Sequence, residues 1–391
     1  MERIGIYGGT FNPPHIGHIQ AAEQALSALK LDKMLLIPDR IAPHKELPEN
    51  SPTPQQRMDM LHIAVQNRPG LEVSDIELKR SGVSYTFETV EQLRAEYPQA
   101  ELVLLMGTDM FLSFHTWMNP ERITAHATLA VMYRGEKGEK AKIDARKVEM
   151  EAEGVRVALV CNDTINISST QLRRLIAFRC ASEFLPNGVE DYIRENGLYD
   201  ANVDWKNLPM EELEPIVIRL LNPNRVNHVL GCRDTSVDLA KRWGADVNDA
   251  ARAGILHDIT KALDGPLQLT LCREYGTILD EFGYKYPKTL HALTGSLVAD
   301  RLFGESEAVV SAICHHTTGK ADMSLLEKII YVADYMEPNR NFPGVEELRQ
   351  LAYTDITAAL KLGLEMTLCH LANLGDEVSP ASAEALNFLN R

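Results

Sequence analysis

Residues 8–18 read Gly8-Gly9-Thr10-Phe11-Asn12-Pro13-Pro14-His15-Ile16-Gly17-His18, and they follow a short apolar run at the point where a helical pattern begins. Two glycines allow the backbone to turn tightly off a strand and to approach a polyphosphate. The amides and the positive dipole end of the next helix attract negative charge. His15 and His18 are three residues apart, so one helical turn places both on one face. The stretch predicts a nucleotide-phosphate site; the alternative is an ordinary strand-to-helix loop whose histidines only cap the helix.

The sequence around this stretch alternates between β-rich runs and helical patterns up to about residue 199. The strand candidates are residues 3–7, 34–38, 101–106, 128–133 and 155–160. Such an alternation is typical of a parallel, doubly wound α/β sheet of the Rossmann-like kind. The highly charged residues 135–153 are interpreted as an exposed loop or a surface helix.

The pattern changes beyond residue 200, where apolar residues recur at three- and four-residue spacing. The helix candidates are residues 226–243, 250–256, 290–302, 308–313, 325–333 and 345–359. We therefore predict an α/β domain at residues 1–200, a linker at residues 201–212 and an all-α domain at residues 213–391.

Length and charge restrict the possible functions of the chain. Its 391 residues suit two domains, each large enough for its own core. The formal net charge of -15 argues against nonspecific binding to nucleic acid or to a membrane surface, because either needs a basic face. The six cysteines form no C-x-x-C pair, and no apolar stretch approaches the roughly 20 residues of a membrane helix. We expect a cytoplasmic protein with reduced thiols, and the sequence leaves a homo-oligomer open.

Further segments of the first half carry groups suited to a nucleotide. Pro43-His44-Lys45 follows the second predicted strand, where the lysine either neutralises phosphate oxygens or remains a surface charge. Gly107-Thr108-Asp109 ends a strand at the carboxyl edge of the sheet, where open α/β folds bind ligands. Trp117 could stack on a flat ring or simply belong to the core. Residues 168–170 begin a helix with Arg173 one turn inside, which suits a phosphate, although serine and threonine are also ordinary helix caps.

Together these motifs resemble the nucleotidyltransferase superfamily, with its H-x-G-H and I-S-S-T-x-x-R motifs, and within it the bacterial nicotinate-nucleotide adenylyltransferases. The resemblance covers about residues 1–199 and also rests on Ser84-Tyr85-Thr86 and on residues 189–193, although Glu88 stands where aspartate is usual. It implies that ATP and nicotinate mononucleotide give deamido-NAD and pyrophosphate, with Mg²⁺ on the phosphates. Sister families transfer AMP to pantetheine phosphate or flavin mononucleotide, and the choice of nicotinate over nicotinamide stays open.

Such a reaction mainly needs alignment and neutralisation of charge, because the nucleophile and the leaving group are both anionic. The candidate catalytic residues are His15, His18, Lys45 and Arg173. Of these, His18 is expected to donate to the α-phosphate and the other three to hold the β- and γ-phosphates. Thr86 and Trp117 are expected at the pyridine end, and Asp109 at the ribose or the pocket edge. The remaining candidate substrate-binding residues are Gly8, Gly9, Thr10, Phe11, Asn12, His44, Gly107, Ser168, Ser169 and Thr170.

Histidines and carboxylates crowd the helical patterns of the second half. The candidate metal ligands are His228, His257, Asp258, His291, His316 and Asp334. Helices that bring imidazoles and carboxylates inward form metal sites, and mixed nitrogen and oxygen ligands suit iron, manganese or other transition metals. Any single one of these histidines could instead be a core residue.

This half resembles the HD superfamily of metal-dependent phosphohydrolases, in the branch of symmetrical bis(5'-nucleosyl)-tetraphosphatases. The resemblance spans about residues 215–375 and rests on His228, on AGILHD at 253–258, on HALTG at 291–295, on HTTG at 316–319 and on MSLLEKIIYVADYMEP at 323–338. It implies two transition-metal ions, of iron or of manganese.

In the arrangement that this resemblance implies, the first ion is bound by His228, His257, Asp258 and Asp334. Asp258 bridges to a second ion, which His291 and His316 also hold. Diadenosine tetraphosphate would then be cut to two ADP. His315 stands where an aromatic residue is usual, and it is either a bystander or an additional ligand.

Two other interpretations of the second half stay open. The domain could hydrolyse another nucleotide, such as an alarmone or a deoxynucleoside triphosphate. It could also be a nucleotide-sensing or partner-docking module without turnover, although its ligand set is complete.

Overall fold

In a computed structural model of the protein, the structure describes residues 1–42, 47–48, 50–135, 138–161, 163, 165 and 167–391. The chain divides into two units, Met1–Asn202 and Val203–Arg391. Each unit is described by itself below.

The first unit is built on a parallel sheet, as the alternation of β-rich and helical patterns predicts. Within the described residues its six strands have the order β3-β2-β1-β4-β5-β6. The strands are β1 Arg3–Gly9, β2 Lys33–Pro38, β3 Leu71–Val73, β4 Glu101–Gly107, β5 Ala127–Tyr133 and β6 Val157–Cys161. The predicted doubly wound α/β class is confirmed.

The sheet is held by strands that are apolar on both faces. Ile4, Ile6, Leu102 and Leu129 belong to one buried cluster, as expected for a parallel sheet covered by helices on both sides. The strand order reverses between β1 and β4, which are paired in parallel. Ligands of open α/β sheets bind at such a reversal, beyond the carboxyl ends of the strands. We therefore expect a ligand site at the carboxyl ends of β1 and β4.

Helices cover this sheet and connect its strands. They are α1 Ile16–Ala28, α2 Pro54–Val65, α3 Thr86–Glu96, α4 Thr108–Leu112, α5 Pro120–Thr124, α6 Glu139–Ala152, α7 Ser169–Ala177 and α8 Val189–Glu195. The charged stretch interpreted as a loop or surface helix forms α6, which buries only Ile143 and Met150 along its length.

Helices are the regular secondary structure of the second unit within its described residues. Its helices are α9 Met210–Leu220, α10 Val226–Trp243, α11 Val247–Leu256, α12 Gly265–Glu274, α13 Glu281–Lys285, α14 His291–Val298, α15 Glu307–His315, α16 Leu325–Met336, α17 Val345–Ala352, α18 Ile356–Leu374 and α19 Pro380–Leu389. None of the described helices of either unit has the length and apolar character needed to cross a membrane.

Two details of the second unit differ from the helical pattern. The run at residues 345–359 is two helices, because Asp355 caps a new helix by accepting hydrogen bonds from the amides of Thr357 and Ala358. Within the stretch predicted as a linker, Trp205 is buried and stacks on Phe303 with ring centroids 5.2 Å apart. That stretch therefore contributes to the packing of the second unit.

A buried arginine fixes the loop that follows β1. Arg57 of α2 is fully buried, donates to the Thr10 carbonyl at 2.6 Å and forms an ion pair with Asp39 at 3.0 Å. The Thr10 hydroxyl donates to the other Asp39 oxygen at 2.7 Å. The ion pair of Arg57 and Asp39 therefore fixes the glycine-rich turn through its contacts with Thr10.

Arg57→Leu should lower the free energy of unfolding by about 3–5 kcal/mol, because it leaves Asp39 as an uncompensated buried charge. Chemical denaturation of the full chain, followed by circular dichroism, measures the loss. Adding Asp39→Asn to the variant should restore part of it. A loss below about 1 kcal/mol would show that the pair does not anchor the turn.

Candidate active sites

The two histidines of the glycine-rich segment lie together at the start of α1. The Nδ1 atom of His15 accepts from the His18 amide at 3.3 Å, and the Nδ1 atom of His18 accepts from the His15 amide at 3.2 Å. The rings stack with centroids 3.5 Å apart. Because both Nδ1 atoms accept, the ring protons are on the Nε2 atoms. The histidines therefore do cap the helix, as the alternative interpretation held, and in doing so they orient two Nε2 donors.

Burial keeps one of these imidazoles neutral. It lowers the pKa of His15 from 6.5 to about 3. The neutral ring therefore confers stability that is fully present above the unfolded pKa of 6.5 and is lost as the pH falls from there toward 3.

His15 should consequently stay neutral at pH 5. In NMR spectra of protein with ¹³C-labelled histidine, the His15 ring signal, assigned by its loss in His15→Ala, should keep its chemical shift from pH 8 to pH 5. A titration midpoint near pH 6 would contradict this expectation.

Both histidines line a cavity of about 950 Å³ where β1 and β4 end. The cavity brings together most of the described residues that the motifs single out. Those that line it are Thr10, Asn12, His15, His18, Gly107, Asp109, Ser168, Ser169, Thr170 and Arg173. Residues that follow strands β1 and β4 and residues that begin helices α1 and α7 therefore line the same cavity.

Hydrogen bonds join the loop after β1 to α7 and to Tyr199, which follows α8. Arg173 donates to the Asn12 carbonyl at 2.8 Å, and the Tyr199 hydroxyl donates to Asn12 Oδ1 at 2.6 Å. Ser168 caps α7 by accepting from the Gln171 amide at 3.2 Å. Ser168 is thus an ordinary helix cap that also faces the cavity.

Other predicted residues do not reach this cavity. Among the described residues, its lining omits Gly8, Gly9, Phe11, Thr86 and Trp117. Trp117 instead packs on Phe114, with ring centroids 5.3 Å apart, against the core of the sheet. His44 and Lys45 lie outside the described residues.

The sequence did not single out Glu139, which lies at the first turn of α6 and lines the same cavity. One of its oxygens accepts from the Thr108 hydroxyl at 2.6 Å, and the other accepts from the Arg134 amide at 3.0 Å. Glu139 therefore links the segments that follow β4 and β5. No local signal separates this glutamate from the solvated charges around it.

The candidate metal ligands of the second unit come together from five helices and their ends. His228 lies in α10, His257 and Asp258 follow α11, His291 begins α14, His316 follows α15 and Asp334 lies in α16. Asp258 and the four histidines are all buried.

The two oxygens of Asp258 divide the imidazoles into two pairs. Asp258 Oδ2 lies 3.7 Å from His228 Nε2 and 3.6 Å from His257 Nε2. Asp258 Oδ1 lies 3.5 Å from His291 Nε2 and 3.8 Å from His316 Nε2. Each oxygen of this carboxylate thus lies nearest to a different pair of imidazole nitrogens.

Asp334 joins the first of these groups. Its Oδ1 atom lies 3.1 Å from His228 Nε2 and 3.8 Å from His257 Nε2, and these two nitrogens are 3.3 Å apart. Sets of ligand atoms that could share one ion occur twice among the described residues, at His228, His257 and Asp334 and at His257, Asp258 and His316.

The hydrogen bonds of the Nδ1 atoms determine which ring nitrogen of each histidine carries the proton. The Nδ1 atoms of His257, His291 and His316 lie 2.6–3.0 Å from the carbonyls of Gly254, Lys288 and Ile313. Carbonyls only accept, so these Nδ1 atoms carry the ring protons and the Nε2 atoms present lone pairs. Burial also lowers the pKa of these three histidines, which keeps them neutral.

These residues fit a cation. His228 lies between two carboxylates, with its Nδ1 atom 3.1 Å from Glu337 and its Nε2 atom 3.1 Å from Asp334. The Nε2 atom of His316 is buried and has no hydrogen-bond partner within the described part of the chain. Lone pairs of neutral imidazoles and carboxylate oxygens cannot hydrogen-bond to one another, whereas they are the ligands of transition metals.

His315, at the end of α15, contacts Ser311 and Glu327 instead of the candidate metal ligands. Its Nδ1 atom is 2.8 Å from the Ser311 carbonyl and 3.4 Å from a Glu327 oxygen. It does not belong to either group of candidate ligands found among the described residues.

Two family models match the chain, one in each unit. Residues 6–175 match the cytidylyltransferase-like family, and residues 225–339 match the HD domain. The first match covers the cavity of the sheet, and the second covers all six candidate metal ligands.

Relatives resemble one half of the chain or the other. A protein of Desulfatibacillum aliphaticivorans, described as "Probable nicotinate-nucleotide adenylyltransferase", is 35% identical over 50% of this chain and 99% of its own length. A protein of Pseudomonas syringae with the same description is 36% identical over 51% of this chain and 95% of its own length. The crystal structure of a "predicted HD superfamily hydrolase involved in NAD metabolism" from Clostridium acetobutylicum is 36% identical over 47% of this chain and 97% of its own, with a TM-score of 0.46. The chain therefore belongs, through its first half, to the nicotinate-nucleotide adenylyltransferase family, and its second half contains an HD domain.

Proposed function

We propose that the first unit transfers the adenylyl group of ATP to nicotinate mononucleotide. A phosphate oxygen of the mononucleotide attacks the α-phosphorus of ATP, the bond from that phosphorus to the bridging oxygen breaks, and deamido-NAD and pyrophosphate form. The observation that carries the proposal is the stacked pair of His15 and His18 at the start of α1, inside the cavity of a chain from this family. Mg²⁺ arrives with ATP and supplies positive charge at its phosphates.

Each residue is given a role that suits its charge and hydrogen-bonding groups. The Nε2 proton of His18 is directed to an oxygen of the α-phosphate, whose negative charge grows in the transition state. His15, Arg173 and Lys45 hold the β- and γ-phosphates. Asp109, at the carboxyl end of β4, accepts from a ribose hydroxyl. Thr86 and Trp117 do not line the cavity, so their proposed place at the pyridine end requires the acceptor to extend beyond it.

Release of pyrophosphate by the full chain tests this proposal. With ATP and Mg²⁺, we expect release with nicotinate mononucleotide and much less with nicotinamide mononucleotide, pantetheine phosphate or flavin mononucleotide. Equal or faster release with one of the other acceptors would overturn the proposed substrate, and release with none of them would overturn the proposed reaction.

We further propose that the second unit is a metal-dependent phosphohydrolase that cuts diadenosine tetraphosphate into two ADP. The proposal rests mainly on Asp258, because each of its two oxygens lies near a different pair of imidazoles. This arrangement suits two neighbouring ions. His228, His257, Asp258 and Asp334 would hold the first ion. Asp258, His291 and His316 would hold the second, with iron or manganese suiting these ligands. Such ions supply positive charge to the attacking and leaving oxygens.

The products follow from where the chain of phosphates is cut. Water adds to one of the two central phosphorus atoms, the bond to the central bridging oxygen breaks, and each half leaves as ADP. A panel of nucleotides with added Mn²⁺ tests the choice of substrate. ADP as the sole product of diadenosine tetraphosphate supports the proposal. Preferred turnover of an alarmone or a deoxynucleoside triphosphate, or metal-bound protein that turns over nothing, contradicts it.

A further inference from the structure

Two arginines contact the carboxylates at which the ions are proposed. Arg225 ends a short 3-10 helix three residues before His228, and its Nη2 atom contacts Asp258 Oδ2. Arg340 follows α16, and its Nη2 atom lies 2.6 Å from Asp334 Oδ1. The sequence motifs do not include either arginine.

These guanidinium groups bind the same oxygens that face the imidazoles. Asp258 Oδ2 and Asp334 Oδ1 are the atoms that lie 3.1–3.8 Å from His228 Nε2 and His257 Nε2. An ion held by those nitrogens would therefore compete with Arg225 and Arg340 for the carboxylate lone pairs. Asp258 is buried and Asp334 is half-buried, so each carboxylate needs a positive partner, and the arginines supply it until an ion does.

Both arginine side chains reach solvent, and Arg340 is also held near the site, because its Nε atom donates to the Asp334 carbonyl at 2.8 Å. The side chains of Arg225 and Arg340 are 31% and 33% exposed. Arg349 donates to the carbonyls of Glu337 and Arg340, both at 2.9 Å. Displacement by an ion would therefore turn these guanidinium groups toward solvent and keep them at the edge of the site.

We propose that Arg225 and Arg340 exchange partners when metal binds. In the absence of ions they neutralise Asp258 and Asp334. Once ions take those oxygens, the guanidinium groups bind the phosphate oxygens of the polyphosphate substrate, which match their paired donors. The second half of the exchange rests on the proposed hydrolase function, whereas the first half does not.

Metal affinity without nucleotide tests the first half of the exchange. The full chain is stripped of metal and titrated with Mn²⁺ by calorimetry. Arg225→Gln and Arg340→Gln should each bind Mn²⁺ about tenfold more tightly than the wild type, because a charge-assisted hydrogen bond no longer competes with the ion. Arg225→Lys, which keeps the charge, should stay nearer the wild type.

Arg233→Gln is the control for charge. Arg233 lies on α10, like His228, but it pairs with Glu214 and Asp234. Its variant should bind Mn²⁺ within about twofold of the wild type, since its charge does not contact a candidate ligand. Glutamine variants at 225 and 340 that bind Mn²⁺ no more tightly than Arg233→Gln would overturn the exchange.

Kinetics of the loaded protein test the second half. Arg225→Gln and Arg340→Gln should raise the KM for diadenosine tetraphosphate about tenfold and change kcat less, because the lost contacts are to substrate phosphates. Tighter Mn²⁺ binding with an unchanged KM would overturn the phosphate-binding role. Tighter Mn²⁺ binding in the variants of a protein whose wild type does not hydrolyse diadenosine tetraphosphate would contradict the proposed substrate and support the metal-linked half of the exchange.

Discussion

Asp258→Asn should abolish metal-dependent hydrolysis and leave adenylyl transfer at the wild-type rate. Asp258 is the residue whose two oxygens face both pairs of imidazoles. An amide supplies one neutral oxygen, and its NH₂ group would point at one pair of Nε2 atoms, where it repels a cation. Loss of metal removes several kcal/mol of charge stabilisation in the transition state, so we expect hydrolysis to fall by about a thousandfold or more.

Two measurements on the same preparation check this expectation. Elemental analysis should show less bound metal in Asp258→Asn than in the wild type, and chromatography should show little ADP formed from diadenosine tetraphosphate. The control is Asp238→Asn, which changes a carboxylate of α10 that is 62% exposed and pairs only weakly with Lys241. A variant at 258 with full metal content and full hydrolysis would refute the metal site.

His18→Ala should lower the turnover of adenylyl transfer by about two to four powers of ten, as loss of a donor to the transition state does. The fold should remain intact. The variant also loses the hydrogen bond from the His15 amide, but a lost helix cap costs only about 1 kcal/mol. Hydrolysis by the second unit should be unchanged.

The comparison is made at saturating ATP and nicotinate mononucleotide, so that kcat is measured separately from binding. His62→Ala serves as the control, because His62 is exposed on α2 and does not line the cavity. Turnover by His18→Ala close to that of His62→Ala would remove His18 from the mechanism.

The sequence predicted the parallel sheet because its long strands are continuous apolar runs, which leave a clear local pattern. Strand β3 was missed, since Leu71–Val73 is only three residues long and has no pattern of its own. The split between α17 and α18 was also missed. It depends on the cap at Asp355, which apolar spacing across residues 345–359 conceals.

Spacing along one helix places side chains together without knowledge of the fold, whereas contacts between distant residues do not follow from spacing. The three-residue spacing of His15 and His18 leads directly to the stacked pair at the start of α1. By contrast, Arg225 reaches Asp258 across 33 residues, and Glu139 reaches Thr108 across 31. Only the fold brings such pairs together, so composition and periodicity do not reveal them.

The most direct test of two independent nucleotide sites in one chain is a paired assay of the wild type, His18→Ala and Asp258→Asn. Each protein receives ATP with nicotinate mononucleotide in one reaction, and diadenosine tetraphosphate with Mn²⁺ in another. We predict that the wild type performs both reactions, that His18→Ala loses only pyrophosphate release, and that Asp258→Asn loses only ADP formation. Loss of both activities in either variant, or of neither, would contradict the account.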